Sequence, residues 1–89
     1  MQEKNIQKAF KIKKVLNEYF RLNTSISKIE AKALMPLFIQ KNIFEKNHQD
    51  GYEIRELLRQ LRKDNLLKLI PHVLAEDKDQ NTNWFFIRI

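Results

Sequence analysis

Five side chains in one short stretch could do recognition chemistry. Tyr52, Arg55, Arg59, Arg62 and Lys63 lie within DGYEIRELLRQLRKDN. At about 100° per residue they share one side of a helix, while Ile54, Leu57, Leu58 and Leu61 fall within an arc of roughly 100° on the other. The helix expected over 50–64 therefore has a core face and a basic face. Guanidinium groups present planar, paired N–H donors that match phosphate oxygens and guanine edges, which ammonium groups cannot copy. The competing account is a solvated face on which Glu56 pairs with Arg59 at i+3.

Arginine is the less expected cation here. The chain has 12 lysines and 5 arginines among 89 residues, with a net charge of +6. Lysine at that frequency, beside abundant Asn and Ile, reflects A·T-rich coding, so the net charge alone says little about partners. Three of the five arginines sit on the 50–64 face, and that clustering carries more weight. The charge is uneven: residues 1–49 hold ten basic and four acidic groups, residues 50–70 five and four, and residues 71–89 two and three.

Other chemistries find little support. There is no cysteine, and His48 and His72 stand 24 positions apart without a His-Glu-x-x-His pattern, so no metal site is expected. One glycine, Gly51, leaves no glycine-rich phosphate loop, and no nucleophile–base arrangement stands out. An enzyme is not expected, nor a cofactor. No apolar run approaches the roughly 20 residues needed to span a bilayer. The N-terminus lacks a signal-peptide core. An intracellular, cytoplasmic location follows as an expectation, with association to the nucleoid if DNA is bound.

Several elements must position the basic face. Residues 3–20 read as a first helix, with Ile6, Ala9, Phe10, Ile12, Val15, Leu16, Tyr19 and Phe20 as its apolar stripe. Lys4, Lys8, Lys11 and Lys14 line a second face, either solvated or in contact with phosphate; an anionic membrane surface finds little support, because the aromatics are needed inside so small a domain. RLNTSIS breaks the pattern, with a short extended piece around Ser25–Ile26. Ser27 and Glu30 have capping-box spacing for a second helix, buried through Ile29, Ala33, Leu34, Leu37 and Phe38. Pro36 predicts a kink or two short helices. Ile43 and Phe44 anchor the next segment, and Lys46 to Gln49 form a polar turn. Asp50 caps the third helix with Glu53 as its box partner, and Asn65 suits the left-handed position at its end. From Leu66 the period becomes strand-like, with Pro71 at an edge, a bulge or a strand start. Residues 77–83 are a turn and NWFFIRI is a strand. Trp84 and Phe86 would pack one way and Phe85 and Ile87 the other, or the aromatics would stack on bases.

The order helix, extended piece, helix, turn, helix, hairpin resembles a winged helix-turn-helix domain. The residues that carry the resemblance are DGYEIRELLRQLRKDNLL followed by KLIPHVLAE and NWFFIRI. Leu58, Leu61, Asn65, Leu66 and Leu67 match the leucine-rich turn, the cap and the leucine pair that leads into the wing. The resemblance spans nearly the whole chain. It implies an α+β, mainly helical fold: one domain over 1–89, with a three-helix core and a C-terminal β-hairpin. It implies double-stranded DNA as partner, the 50–64 helix as recognition helix and residues 76–83 as wing tip. It further implies a role in transcriptional regulation or mobile-element DNA handling. Lys28 and Lys32, near the start of the second helix, and Lys46 and His48, before the third, are additional candidates for phosphate contact. A homodimer through the first helix or the C-terminal strand is also an expectation. Two features depart from the pattern: the long connection between the second and third helices, and an acidic wing with Glu76, Asp77 and Asp79 against Lys78. They keep two other readings open, a winged-helix protein-interaction module and a small basic RNA-associated protein.

Overall fold

The stripe Ala9, Ile12, Leu16 and Phe20 recurs at helical spacing, and the first helix follows from it: α1 spans Glu3–Leu22 with those four residues buried. The computed structural model describes residues 3–89. Phe10, expected in the stripe, is instead 50% exposed. It stands one residue beyond Ala9, about 100° around the helix, and so leaves the contact face.

The chain then forms strand β1 (Lys28–Glu30), a 3-10 turn (Ala31–Leu34) and a short helix α2 (Met35–Gln40). The helix expected to start at the Ser27–Glu30 capping box is therefore absent there, and the extended piece lies at 28–30 rather than at Ser25–Ile26. Tertiary pairing outcompetes the local cap: Ile29 sits opposite Phe86 in an antiparallel ladder, and the Ser27 carbonyl accepts from the Arg88 amide at 3.0 Å. Pro36 occupies the first turn of α2, where its missing N–H costs nothing, so the expected break appears as a 3-10 turn followed by a helix. Ala33 is exposed, because the tighter turn faces it outward while Ala31, Leu34 and Met35 are buried.

Helix α3 (Tyr52–Lys63) buries Ile54, Leu57, Leu58 and Leu61, all four residues of the apolar arc. Its N-cap is Gly51, with φ of 87° and no side-chain cap. Asp50 does not cap the helix; it adopts a left-handed backbone, as does Gln49. Glu53 reaches back to His48 rather than to Asp50, accepting from the His48 amide at 2.9 Å. The glycine is required at this point. A Cβ on Gly51 would lie 2.5 Å from the Cβ of Lys32, so the 3-10 turn and the start of α3 meet backbone to backbone.

Asn65 has φ of 58° and ends α3 as expected. A second 3-10 turn (Leu67–Leu69) precedes strand β2 (Val73–Asp77), which pairs antiparallel with β3 (Thr82–Ile87). The strand expected from Leu66 thus starts after Pro71. Sheet order is β1-β3-β2, so β3 is bonded along both edges. One face of the sheet, with Ile29, Val73, Ala75, Trp84 and Phe86, meets the helices. Phe38 of α2 is a hub, edge-on to Phe86 at 6.0 Å and to Phe44 at 6.3 Å. Each such buried aromatic contributes roughly 1.5–3 kcal/mol by leaving water. Among the described residues, three helices and a three-stranded antiparallel sheet therefore make one α+β unit, mainly helical. Among the described residues, no helix is long and apolar enough to cross a membrane.

Candidate nucleic-acid interface

The buried arc of α3 fixes the opposite side outward, and Tyr52, Arg55, Arg59, Arg62 and Lys63 are all exposed. The first four line a groove of about 430 Å³ between α3 and the β2–β3 hairpin. The far wall is Gln80 and Asn81 of the hairpin turn and Thr82 at the start of β3, with Trp84 behind. Guanidinium, phenol, amide and hydroxyl groups, with the Glu56 carboxylate among them, therefore face one another across a single channel. A smaller recess of about 190 Å³ adjoins it, where Lys32 and Arg55 face Asn81 and Asn83.

Each arginine already has a protein partner. Arg55 donates from Nη2 to the Gln49 carbonyl at 2.9 Å and from Nε to the Gly51 carbonyl at 3.3 Å, holding the left-handed turn before α3. Arg59 reaches both carboxylate oxygens of Glu56 at 2.7 Å. That bond lowers the Glu56 pKa and raises that of Arg59. Arg62 donates two parallel bonds to Asp77 of β2, at 2.8 Å each, and its guanidinium carbon lies 5.8 Å from the centre of the Trp84 ring. The Asp77 carboxyl sits well below the usual carboxylate range, because Arg62 and then the Thr82 hydroxyl donate to it. Lys63 makes no ion pair among the described residues.

The acidic residues of the β2–β3 hairpin are mostly paired within the protein. Asp77 is neutralised by Arg62 of α3, and Glu76 by Lys28 at 2.7 Å. Of the three carboxylates, Asp79 alone makes no ion pair among the described residues. Sequence reading missed Asp77, Gln80, Asn81 and Thr82 as the companions of α3. The available signal was an acidic residue flanking a polar turn, read as repulsion from phosphate rather than as a partner for an arginine 15 residues earlier.

The remaining expected residues separate. Lys32 joins the α3 side through its recess with Arg55. Lys28 does not. It lies in β1 on the outer sheet face, with its ammonium 4.2 Å from the centre of the Phe85 ring and ion-paired to Glu76. That contact covers the outer apolar face of the C-terminal strand, so Phe85 is half-buried. Trp84 and Phe86 are buried and therefore closed to base stacking. Lys46 and His48 line a different cleft, against α1. His48 is bound there to Glu53 through its ring Nδ1. Burial resists ionisation of Glu53, yet the hydrogen bonds from the His48 amide and ring outweigh it and lower its pKa.

No group of three or more His, Cys, Asp or Glu side chains that could hold a metal ion occurs among the described residues. Compared with protein-family models, curated proteins and solved structures, the chain matches none.

Proposed function

We propose that this chain is a winged helix-turn-helix domain that binds double-stranded DNA, with α3 in the major groove and the hairpin turn beside it. The observation that carries the reading is the groove in which Tyr52, Arg55, Arg59 and Arg62 face Gln80, Asn81 and Thr82. Its walls come from the two elements that such a domain sets against a duplex. Tyr52 and Arg55, in the first turn of α3, are positioned for base edges. Arg59, Arg62 and Lys63, further along, suit phosphates. Lys32 adds a cation at the N-terminal side of the same groove. The order of helices and strands, with β1 completing a three-stranded sheet, supports the same reading. So do the ion pairs of Glu76 with Lys28 and of Asp77 with Arg62, which reduce the charge conflict between the hairpin and a phosphate backbone. Regulation of transcription or handling of mobile-element DNA is the matching role.

The test is duplex binding by fluorescence anisotropy across a salt series, for wild type, Arg59→Ala/Lys63→Ala and Arg55→Ala/Arg59→Ala. The first double variant leaves the Arg55 contacts to the Gln49 and Gly51 carbonyls intact and so separates recognition from folding. Wild-type affinity should fall steeply with salt, reaching a Kd of about 10⁻⁴–10⁻⁶ M near physiological salt without a chosen sequence. Both variants should weaken it by about tenfold or more. Absence of wild-type binding at low salt would overturn the reading and leave a protein partner as the better account of the groove.

A further inference from the structure

A second basic concavity lies apart from the α3 groove. It is a cleft of about 560 Å³ between α1 and the loop joining α2 to α3. Lys4, Lys8 and Lys11 line it from one side of α1, and Lys46 faces them from the loop. The three helical lysines stand at i, i+4 and i+7, one turn apart, so their row runs about 10 Å along the axis. The floor is apolar, made by the buried Ile43 and Phe44. The Lys8 ammonium sits 5.2 Å from the centre of the Phe44 ring, which places its stem across that floor.

The charges in this cleft are unbalanced. None of the four lysines makes an ion pair among the described residues. Two glutamates line the cleft, and one of them, Glu53, is already committed to His48 through both oxygens. A solvated lysine face is convex and has a single element. Here cations from two elements converge on a concavity whose volume is that of a small-molecule site, about 300–1,000 Å³.

We infer that the cleft between α1 and the α2–α3 loop binds a chain of linked phosphate groups, held by Lys4, Lys8, Lys11 and Lys46. The row of ammoniums matches several negative charges in succession better than it matches one compact anion. Two sources share this chemistry, a free polyphosphorylated small molecule and the backbone of a nucleic acid. The inference stands apart from the proposal for α3: the cleft shares no lining residue with the groove of Tyr52, Arg55, Arg59 and Arg62.

The experiment is an NMR titration of the full chain with inorganic tripolyphosphate in about 150 mM salt, where weak long-range attraction is screened. Three proteins are compared: wild type, Lys4→Gln/Lys11→Gln/Lys46→Gln, and Lys13→Gln/Lys14→Gln/Lys68→Gln, which loses the same charge away from the cleft. All the replaced side chains are exposed, so folding should survive, and the amide spectrum checks it. The expected result is saturable shifts confined to the 4–11 and 42–48 amides, with a Kd of about 1 mM or tighter. The cleft variant should weaken binding by about tenfold, and the control by less than about twofold. Shifts that do not saturate, or equal weakening in both variants, would overturn the site as mere attraction to net charge. A duplex-DNA arm distinguishes the sources. Shifts at the same cleft amides, displaced by tripolyphosphate, assign the phosphates to nucleic acid. Duplex shifts confined to α3 and the hairpin, with the cleft still taking tripolyphosphate, assign them to a free ligand.

Discussion

Arg62 of α3 and Asp77 of β2 face each other as a two-bonded pair, guanidinium to carboxylate, with both contacts at 2.8 Å. The pair joins the helix proposed to read DNA to the hairpin proposed to flank it. It also occupies an arginine that a phosphate would otherwise claim. Both side chains are about half exposed, so the bond adds little to stability, and its weight falls on recognition. Replacing Asp77 by Asn should free Arg62 and raise duplex affinity by about three- to tenfold at low salt. The gain should vanish in an Arg62→Ala background. Anisotropy on the four proteins of this cycle reads it directly, and an Asp77→Asn variant that binds no more tightly than wild type refutes the competition.

Gly51 should be the least replaceable residue in the approach to α3. Its φ of 87° disfavours any side chain, and a Cβ would meet Lys32 at 2.5 Å. Relief requires the 3-10 turn and the helix start to move apart, which would also pull Lys32 from Arg55. Gly51→Ala should destabilise the fold by about 2–4 kcal/mol, summing backbone strain and overlap. Urea unfolding measures this, and a loss below about 0.5 kcal/mol would mean that the turn re-forms freely.

What could be read from the sequence follows the range of the interactions. The buried arc of α3, the left-handed Asn65 and the pairing of the last two strands depend on neighbours a few residues away and were legible, although the first of those strands begins at Val73 rather than at Leu66, where a 3-10 turn intervenes. Strand β1 was hidden because Lys28–Glu30 is held extended by β3, more than fifty residues later, against a local capping signal at Ser27 and Glu30. The cap at Asp50 lost in the same way, to the close approach of Gly51 and Lys32. For the candidate site, the arginine face was legible because a helix displays its own spacing. The Asp77 and Thr82 contacts were not, since they exist only once the hairpin folds back. Lys46 and His48 precede α3 in sequence yet fall on its α1 side, a separation that no local pattern encodes.

The buried histidine gives a pH dependence whose sign is fixed. His72 is 1% exposed, donates from Nε2 to the Asn17 side-chain oxygen at 2.9 Å, and stacks on Phe20. Its Nδ1 has no partner, so protonation there would bury an unsatisfied N–H. Burial, and then Lys13, lower its pKa in the fold. The unfolded chain thus binds the proton more readily, and stability is full above the ordinary histidine value and falls as pH drops through it. The urea midpoint should decrease between about pH 7 and about pH 5, and His72→Gln should flatten that slope. Carboxylates held low, such as Asp77 and Glu56, lose their contribution only at lower pH, so this window isolates the histidine. A wild-type midpoint that stays level across it would contradict the assignment.

Arg88, one residue from the end of the described chain, should matter more than its position suggests. Its guanidinium donates to three carbonyls, those of Phe20 at 2.6 Å, Asn23 at 2.7 Å and Ile26 at 2.6 Å, and lies 5.3 Å from the centre of the Phe20 ring. The last turn of α1 and the RLNTSIS segment have backbone oxygens that no helix or sheet satisfies, and one planar fork collects them. Lysine has the charge but not the fork, so Arg88→Lys should recover only part of the loss. Arg88→Ala should cost about 2–3 kcal/mol, as expected for removing a charged donor from several part-buried acceptors. The loss should also show as faster amide exchange at Asn23 and Ile26, which donate into the same turn, to Tyr19 and Asn23 respectively. If Arg88→Lys matched wild type in both stability and exchange, charge alone would account for the contact and the geometric reading would fail.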